Sequence, residues 1–131
     1  MPELKVGIKG ESKVTVNKDN TAMAVGSGGV DVFATPSMIA LMEKAALELV
    51  QPYLDSGQST VGIMLKVVHT AATPVGMEVT ATAELIEIDR RKLVFKVEAH
   101  DERELIGEGM HERFIIDVNK FLKKVDEKKG S

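Results

Sequence analysis

The 131-residue chain has 17 lysines and arginines against 20 aspartates and glutamates, well mixed along the chain, so no surface for nucleic acid is expected. It has no cysteine, which excludes disulfides, thiol catalysis and cysteine-bound zinc or iron–sulfur centres. The length predicts a single domain spanning residues 1–131, and the lack of a signal segment or a membrane-length apolar run predicts a cytoplasmic protein that binds no membrane.

The first predicted strand is Ser12–Val16, where polar and apolar residues alternate before an asparagine-rich turn. Ala22–Val25 is predicted to be a second, short strand. The glycine-rich segment Gly26–Gly29 follows, but it lacks the Gly-Lys-Ser/Thr arrangement of a phosphate-binding loop. We interpret it either as a mobile loop over one end of the next helix or as a plain flexible connection.

A long helix is predicted for Thr35–Leu54, with Thr35 as the capping residue, Pro36 in the first turn and Pro52 at the end. On a helical wheel, Glu43 lies inside the apolar arc, although solvent-facing positions were available to an acid. A carboxylate on a packed face must find a charge or hydrogen-bond partner, or lose its charge. Glu43 is therefore either a structural ion-pair partner or a functional acid. The apolar arc consists of Met38, Ile39, Met42, Ala46, Leu47, Leu49 and Val50.

Four further strands are predicted, and each has one apolar face, which is typical of an antiparallel sheet that covers something on that face only. They are Thr60–Ala71, Met77–Asp89, the run from Leu93 to Ala99, and Leu105–Asp117. In the first of these strands, alternation places a histidine on the apolar face. That face is predicted to contain Val61, Ile63, Leu65, Val67 and His69.

Residues Val118–Lys129 repeat apolar side chains at helical spacing and predict a short amphipathic helix, followed by a tail of Gly130 and Ser131. The complete order predicts an α+β protein with the hotdog fold: an antiparallel sheet wrapped around one long central helix, with a short C-terminal helix. A single sheet around one helix leaves apolar surface uncovered, which favours a homodimer.

A carboxylate, an imidazole and a hydroxyl around an apolar pocket suit the hydrolysis of an acyl group, and Glu43, His69 and Thr35 could supply them. Thr35 and Glu43 are about 12 Å apart along a helix, so a partner must come from elsewhere in the fold. Taken by itself, a histidine such as His69 is more often a core residue whose two nitrogens are both hydrogen-bonded. His111, with Arg113 in the MHERF string, is a further candidate, but it alternates with Gly107, Gly109 and Arg113 rather than with the main apolar set and is given no catalytic role. The three histidines are far apart, so no metal site is expected.

Three strings, VFATPSMIALMEKA, VVHTAATPVGMEVTATAEL and AHDERELIGEGMHERFII, the last followed by KFLKKV, resemble the fluoroacetyl-CoA thioesterase family. These are single-domain hotdog enzymes that hydrolyse short acyl-CoA thioesters, and the resemblance covers about residues 30–125. It implies an acyl-CoA substrate, no cofactor, and a catalytic set of Thr35, Glu43 and His69. It also implies that Gly62 lines the acyl site and that Arg113, near it, contacts the acyl group or the CoA phosphates.

The mechanism expected from the resemblance is attack of Glu43, or of a water that it activates, on the thioester carbonyl, while Thr35 stabilises the oxyanion and His69 moves protons. The segment AVGSGGV departs from the family, because a selective lid over a very small acyl group would carry bulky apolar residues. Selectivity for fluoroacetyl groups is therefore left open. Two alternatives are a hydratase-type hotdog protein acting on enoyl-CoA and a non-catalytic module that binds acyl-CoA or another small ligand.

Overall fold

A five-stranded antiparallel sheet wraps around one long helix in the computed structural model, which describes residues 3–130. Residues 1, 2 and 131, the ends of the predicted domain and of its tail, lie outside the described part. The hotdog arrangement predicted from the order of elements is thus confirmed. The strands are β1 (Lys9–Thr15), β2 (Gln58–His69), β3 (Glu78–Asp89), β4 (Lys92–His100) and β5 (Leu105–Asp117), and the helices are α1 (Ala22–Val25), α2 (Thr35–Val50) and α3 (Val118–Asp126).

The strands lie in the order β1-β3-β4-β5-β2, so β1 and β2 form the two edges of the sheet. Alternate residues of β3 and β4 point at α2, as their sequence pattern predicted, and form the centre of the core. Burial of these aliphatic side chains is the main force that holds the sheet to the helix. The inward residues are Val79, Ala81, Ala83, Leu85, Leu93, Phe95, Val97 and Ala99.

Helix α2 starts one residue earlier than the capping prediction allowed. Ala34 is the N-cap and makes no side-chain capping bond, while Thr35 is the first helical residue. The prediction that Thr35 caps the helix was therefore wrong, and its hydroxyl is available to another partner. After Val50 a 3₁₀ turn at Gln51–Tyr53 carries the chain out of the helix, since Pro52 cannot continue the α-helical hydrogen bonds.

A β-bulge at Ile63 resets the alternation of β2, because the register of its pairing with β5 shifts there. Gly62 pairs with the buried Arg113, whereas Val61 pairs with Phe114, which is 39% exposed. Paired residues share one face of a sheet, so Gly62 faces α2 and Val61 faces outward. The prediction that Val61 faces the helix was wrong, because strict alternation cannot anticipate an inserted residue.

Segment Ala22–Val25 is a single helical turn rather than the predicted strand. Thr21 accepts a hydrogen bond from the N–H of Ala24 and so caps this turn, and Gly26 ends it with a left-handed φ of 79°. Threonine and glycine at the two ends thus outweigh the weak strand pattern between them. Within residues 3–130, no helix is long and apolar enough to cross a membrane.

Candidate active site

Thr35 and His69 meet where the start of α2 approaches the end of β2. The hydroxyl oxygen of Thr35 lies 2.7 Å from Nδ1 of His69. The other ring nitrogen, Nε2, is buried and has no hydrogen-bond partner within residues 3–130. Desolvation lowers the pKa of His69, and the backbone of Ala71 acts in the opposite direction without reversing the shift. The imidazole is therefore neutral near pH 7 and can take up a proton.

A cleft of about 290 Å³ opens beside this pair. Its volume lies at the small end of the range for ligand pockets, which suits a small acyl group. The first turn of α2 also has backbone N–H groups at this end of the helix, on Thr35 and Ser37, for which the helix itself supplies no acceptor, while Pro36 between them has no N–H. The cleft is lined by Ala22, Ser27, Val32, Phe33, Thr35, His69, Thr70, Ala71 and Ala72.

Glu43 belongs to a second cluster, two turns further along α2. Its side chain is 37% exposed, and Oε2 lies 3.7 Å from Nη1 of Arg113. On β2, a β carbon added at Gly62 would lie 2.9 Å from the same carboxylate oxygen. Only glycine therefore lets Glu43 approach the strand this closely. Glu43, the acid inside the apolar arc, thus lies beside Arg113 and against a position of the neighbouring strand that has no side chain.

The guanidinium of Arg113 is buried and hydrogen-bonded on three sides. Nε donates to the hydroxyl of Thr60 at 2.7 Å, Nη2 donates to the carbonyl of Thr60 at 2.9 Å, and Nη1 lies 3.2 Å from Nε2 of His111. Burial lowers the pKa of Arg113 while the charge of Glu43 raises it, and arginine remains cationic in proteins. The cluster therefore holds a positive charge against Glu43.

His111 is a member of this second cluster that the sequence offered as a candidate but that was given no role. The side chain is fully buried, and its Nδ1 lies 2.9 Å from the carbonyl oxygen of Met64. Desolvation lowers the pKa of His111, and the charge of Arg113 lowers it further. The signal available in the sequence was the spacing of the HER string, which puts His111 and Arg113 on the same face of one strand.

The two clusters do not meet within one protomer. Thr35 and Glu43 are separated by about 12 Å along α2, and Gly62 and His69 by about 20 Å along β2. The structure therefore brings Thr35 to His69, and Glu43 to Arg113 and Gly62, but leaves Glu43 away from His69. In the described part of the chain, no group of three or more histidines, aspartates or glutamates is placed to hold a metal ion.

Comparison with known proteins connects this geometry to one family. Residues 16–119 match the family described as fluoroacetyl-CoA-specific thioesterase. The fluoroacetyl-CoA thioesterase of Streptantibioticus cattleyicolor is 47% identical over 98 residues, which cover 75% of this chain and 70% of that protein. A solved structure of a fluoroacetyl-CoA thioesterase superposes with a TM-score of 0.92 at 38% identity, covering 97% of this chain and 98% of the other.

A more distant solved structure has the same fold. A hypothetical protein of Thermus thermophilus, described as a thioesterase superfamily member, superposes with a TM-score of 0.89 at 27% identity. The match covers 98% of this chain and 96% of the Thermus protein. The fold is thus shared well beyond the sequences that resemble this chain most strongly.

Proposed function

Because the chain belongs to the fluoroacetyl-CoA-specific thioesterase family, we propose that it hydrolyses short-chain acyl-CoA thioesters to the free acid and CoA. The observation that carries the proposal is the bond between Thr35 and His69 beside a small cleft, with one buried ring nitrogen of His69 left without a partner in the part of the chain that the structure describes. An unsatisfied buried nitrogen is costly, so its persistence favours a functional role over simple core packing.

The proposed reaction breaks the C–S bond of the thioester and forms a C–O bond to water. Glu43 either takes a proton from the attacking water or attacks the carbonyl carbon itself, forming an anhydride that water then opens. The Thr35 hydroxyl and the N–H groups in the first turn of α2 stabilise the oxyanion. His69 then relays a proton to the departing CoA thiolate: in the first route this is the proton that Glu43 took from water, and in the second it comes from the water that opens the anhydride.

A second copy of the chain is the simplest way to bring Glu43 to His69. Strand β2 lies at the edge of the sheet and exposes apolar side chains there, with Ile63 51% and Val68 54% exposed. Exposed apolar edge strands are templates for pairing with another chain. Antiparallel pairing of two β2 strands about a twofold axis that passes between Leu65 and Lys66 would place His69 of one strand opposite Gly62 of the other, with the strands about 4.8 Å apart. The proposal therefore includes a homodimer with a shared site.

Mixing two inactive variants tests the shared site. We expect Glu43→Gln and His69→Ala to be inactive alone, whereas refolding them together should restore roughly a quarter of the wild-type activity, because half the dimers are mixed and each has one intact site. The measurement is thiol release from acyl-CoA after joint and separate refolding. If the joint sample stays as inactive as the separate ones while size measurements report dimers, the site lies within one protomer.

The acyl group is proposed to be less restricted than fluoroacetyl. The apolar side chains that flank the glycine-rich segment do not close over the cleft, since Val25 is 44% and Val30 59% exposed and neither lines it. A side chain at Gly29 would meet open space. Short unbranched acyl chains longer than two carbons therefore have room to enter.

A thiol-release screen over acetyl-, fluoroacetyl-, propionyl-, butyryl- and aromatic acyl-CoA tests the reaction and the acyl preference together. Glu43→Gln and His69→Ala should lose about 10²- to 10⁴-fold in kcat, as expected when a proton-transfer group is removed. His100→Ala is the matched control, because His100 is exposed and should leave kcat unchanged. Near-wild-type turnover in either site variant would rule out this catalytic set.

The same samples separate the alternatives. Loss of enoyl-CoA absorbance without thiol release would indicate a hydratase, and binding without any thiol release would indicate a non-catalytic module. The proposal also includes a cytoplasmic location and a reaction that needs no cofactor. Imaging of the tagged full-length protein tests the location, and an assay after treatment with a chelator tests the independence from metal ions.

A further inference from the structure

The second cluster contains a fully buried imidazole, that of His111, which the proposed reaction does not use. Its Nδ1 faces the carbonyl oxygen of Met64 at 2.9 Å, and a carbonyl can only accept, so Nδ1 must carry a proton. Its Nε2 faces Nη1 of Arg113 at 3.2 Å, and a guanidinium can only donate. The two neighbours together require a neutral ring with its proton on Nδ1 and its lone pair on Nε2.

Hydrogen-bond partners on both sides of the Arg113 guanidinium fix its orientation. The hydroxyl and the carbonyl of Thr60 fix Nε and Nη2, and His111 fixes Nη1, which is also the atom closest to the carboxylate of Glu43. The guanidinium is planar, so a partner for each edge leaves it little freedom to turn. Removing the acceptor at His111 would release the edge that faces Glu43.

We propose that His111 is a positioning residue: as a neutral imidazole protonated on Nδ1, it holds the Arg113 guanidinium beside Glu43 and so sets the direction of that carboxylate. The inference rests on the proposed thioesterase function. In this proposal Arg113 acts inside the protein, where it orients Glu43. This role replaces the contact with CoA phosphates that the family resemblance allowed, because Arg113 is only 6% exposed.

The surroundings of His111 favour this role over that of an apolar filler. On the β4 side it packs on Phe95, with ring centroids 6.0 Å apart, which any flat side chain could do. The charged groups around it are Arg113, Glu43 on α2 and its neighbour Glu112. A proton on Nε2 would remove the acceptor and add a second cation beside Arg113. Burial and the charge of Arg113 both lower the pKa of His111, which keeps the ring neutral.

Two conservative variants distinguish the roles of the two ring nitrogens of His111. His111→Gln keeps an acceptor near the position of Nε2, whereas His111→Asn keeps a donor near Nδ1 but loses the acceptor for Arg113. We expect kcat of His111→Asn to fall about 10- to 100-fold with KM within about threefold, and His111→Gln to stay within about threefold of wild type, because a small misplacement of a reacting group is costly. Equal kcat in the two variants would overturn the proposal.

A double variant tests whether the effect passes through Arg113. If it does, His111→Asn should lower kcat much less in an Arg113→Lys background than in wild type, because residues that act as a unit are not additive. Independent, multiplying losses would overturn the proposal.

Nitrogen NMR of the wild-type protein needs no substrate and no variant. We expect the spectrum of His111 to report a protonated Nδ1 and an unprotonated Nε2 at neutral pH, retained below the titration range of an exposed histidine. A ring protonated on Nε2 would overturn the positioning role. Failure of thiol release in the wild type, with the expected tautomer present, would instead count against the proposed reaction.

Discussion

At the scale of single residues, Gly62 shows how a missing side chain can place a functional one. The carboxylate of Glu43 occupies the volume that a β carbon at Gly62 would need, with Cε1 of His111 at 3.3 Å from the same point. The atom in the way is the end of a flexible side chain, which can move without unfolding the protein. A change at Gly62 should therefore affect function more than stability.

Substitution Gly62→Ala is expected to lower kcat by about 10- to 100-fold while changing the free energy of unfolding by less than about 1 kcal/mol. The new methyl group displaces the Glu43 carboxylate, whereas alanine in a strand costs no more than glycine. Thiol-release kinetics and urea denaturation measure the two quantities on the same preparation. Unchanged kcat would mean that the position of the carboxylate does not matter to the reaction.

At the scale of secondary-structure elements, the glycines of the GEG string explain how β5 can pair closely with β2. A β carbon at Gly109 would collide with the backbone of Lys66 and Val67, and one at Gly107 would meet the carbonyl of Val68 at 2.8 Å. The flexible side chain of Met38 also lies against the point at Gly107, but the other obstacles are backbone atoms of the neighbouring strand, which cannot turn aside. The pairing that carries both clusters therefore depends on glycine at these positions.

Substitution Gly109→Ala should destabilise the protein by about 1–3 kcal/mol or more, because the strands must separate to admit the methyl group. Thermal or urea denaturation measures the loss. Glu108→Ala, at the exposed position between the two glycines, is the control and should change stability by less than about 0.5 kcal/mol. Equal stability of the two variants would contradict the close approach of β5 to β2.

At the scale of the whole molecule, His69, which is half-buried, and His111, which is fully buried, couple folding to pH. Burial lowers the pKa of His69 and of His111 below the ordinary value of 6.5. Above 6.5 both are neutral in the folded and unfolded chains, so they add no pH dependence there. Between their folded values and 6.5 the unfolded chain binds more protons, and the free energy of unfolding falls as the pH falls.

Urea denaturation at about pH 7.5 and about pH 5.5 should therefore give a lower free energy of unfolding at the acid value. His111→Gln removes one of the two titrating groups and should reduce this difference. Comparing the variant with wild type cancels the contribution of the carboxylates, which titrate in both. An identical difference in the two proteins would show that His111 contributes nothing to the pH dependence.

Much of this architecture followed from the pattern of residues. The apolar arc of α2 and the alternation in β3 and β4 predicted the elements and their inward faces. Side chains can be buried together only if they lie on one face, and they do so when they recur at the period of a helix or of a strand. Glu43 and His69 were visible as polar side chains on apolar faces. The bulge at Ile63 and the cap at Ala34 could not be predicted from the sequence. Both depend on how a segment packs against its neighbours rather than on the spacing of apolar residues within the segment.

By itself, the sequence determined the order of elements, the wrapping of a sheet around one helix, and the short list of side chains able to carry chemistry. Only the tertiary structure decided which of them meet: Thr35 with His69 at one end of β2, and Glu43 with Arg113 and His111 at the other. The reason is physical. A period specifies the face on which a residue lies, whereas a contact depends on register and on close approach between strands, and the bulge and the glycines set these.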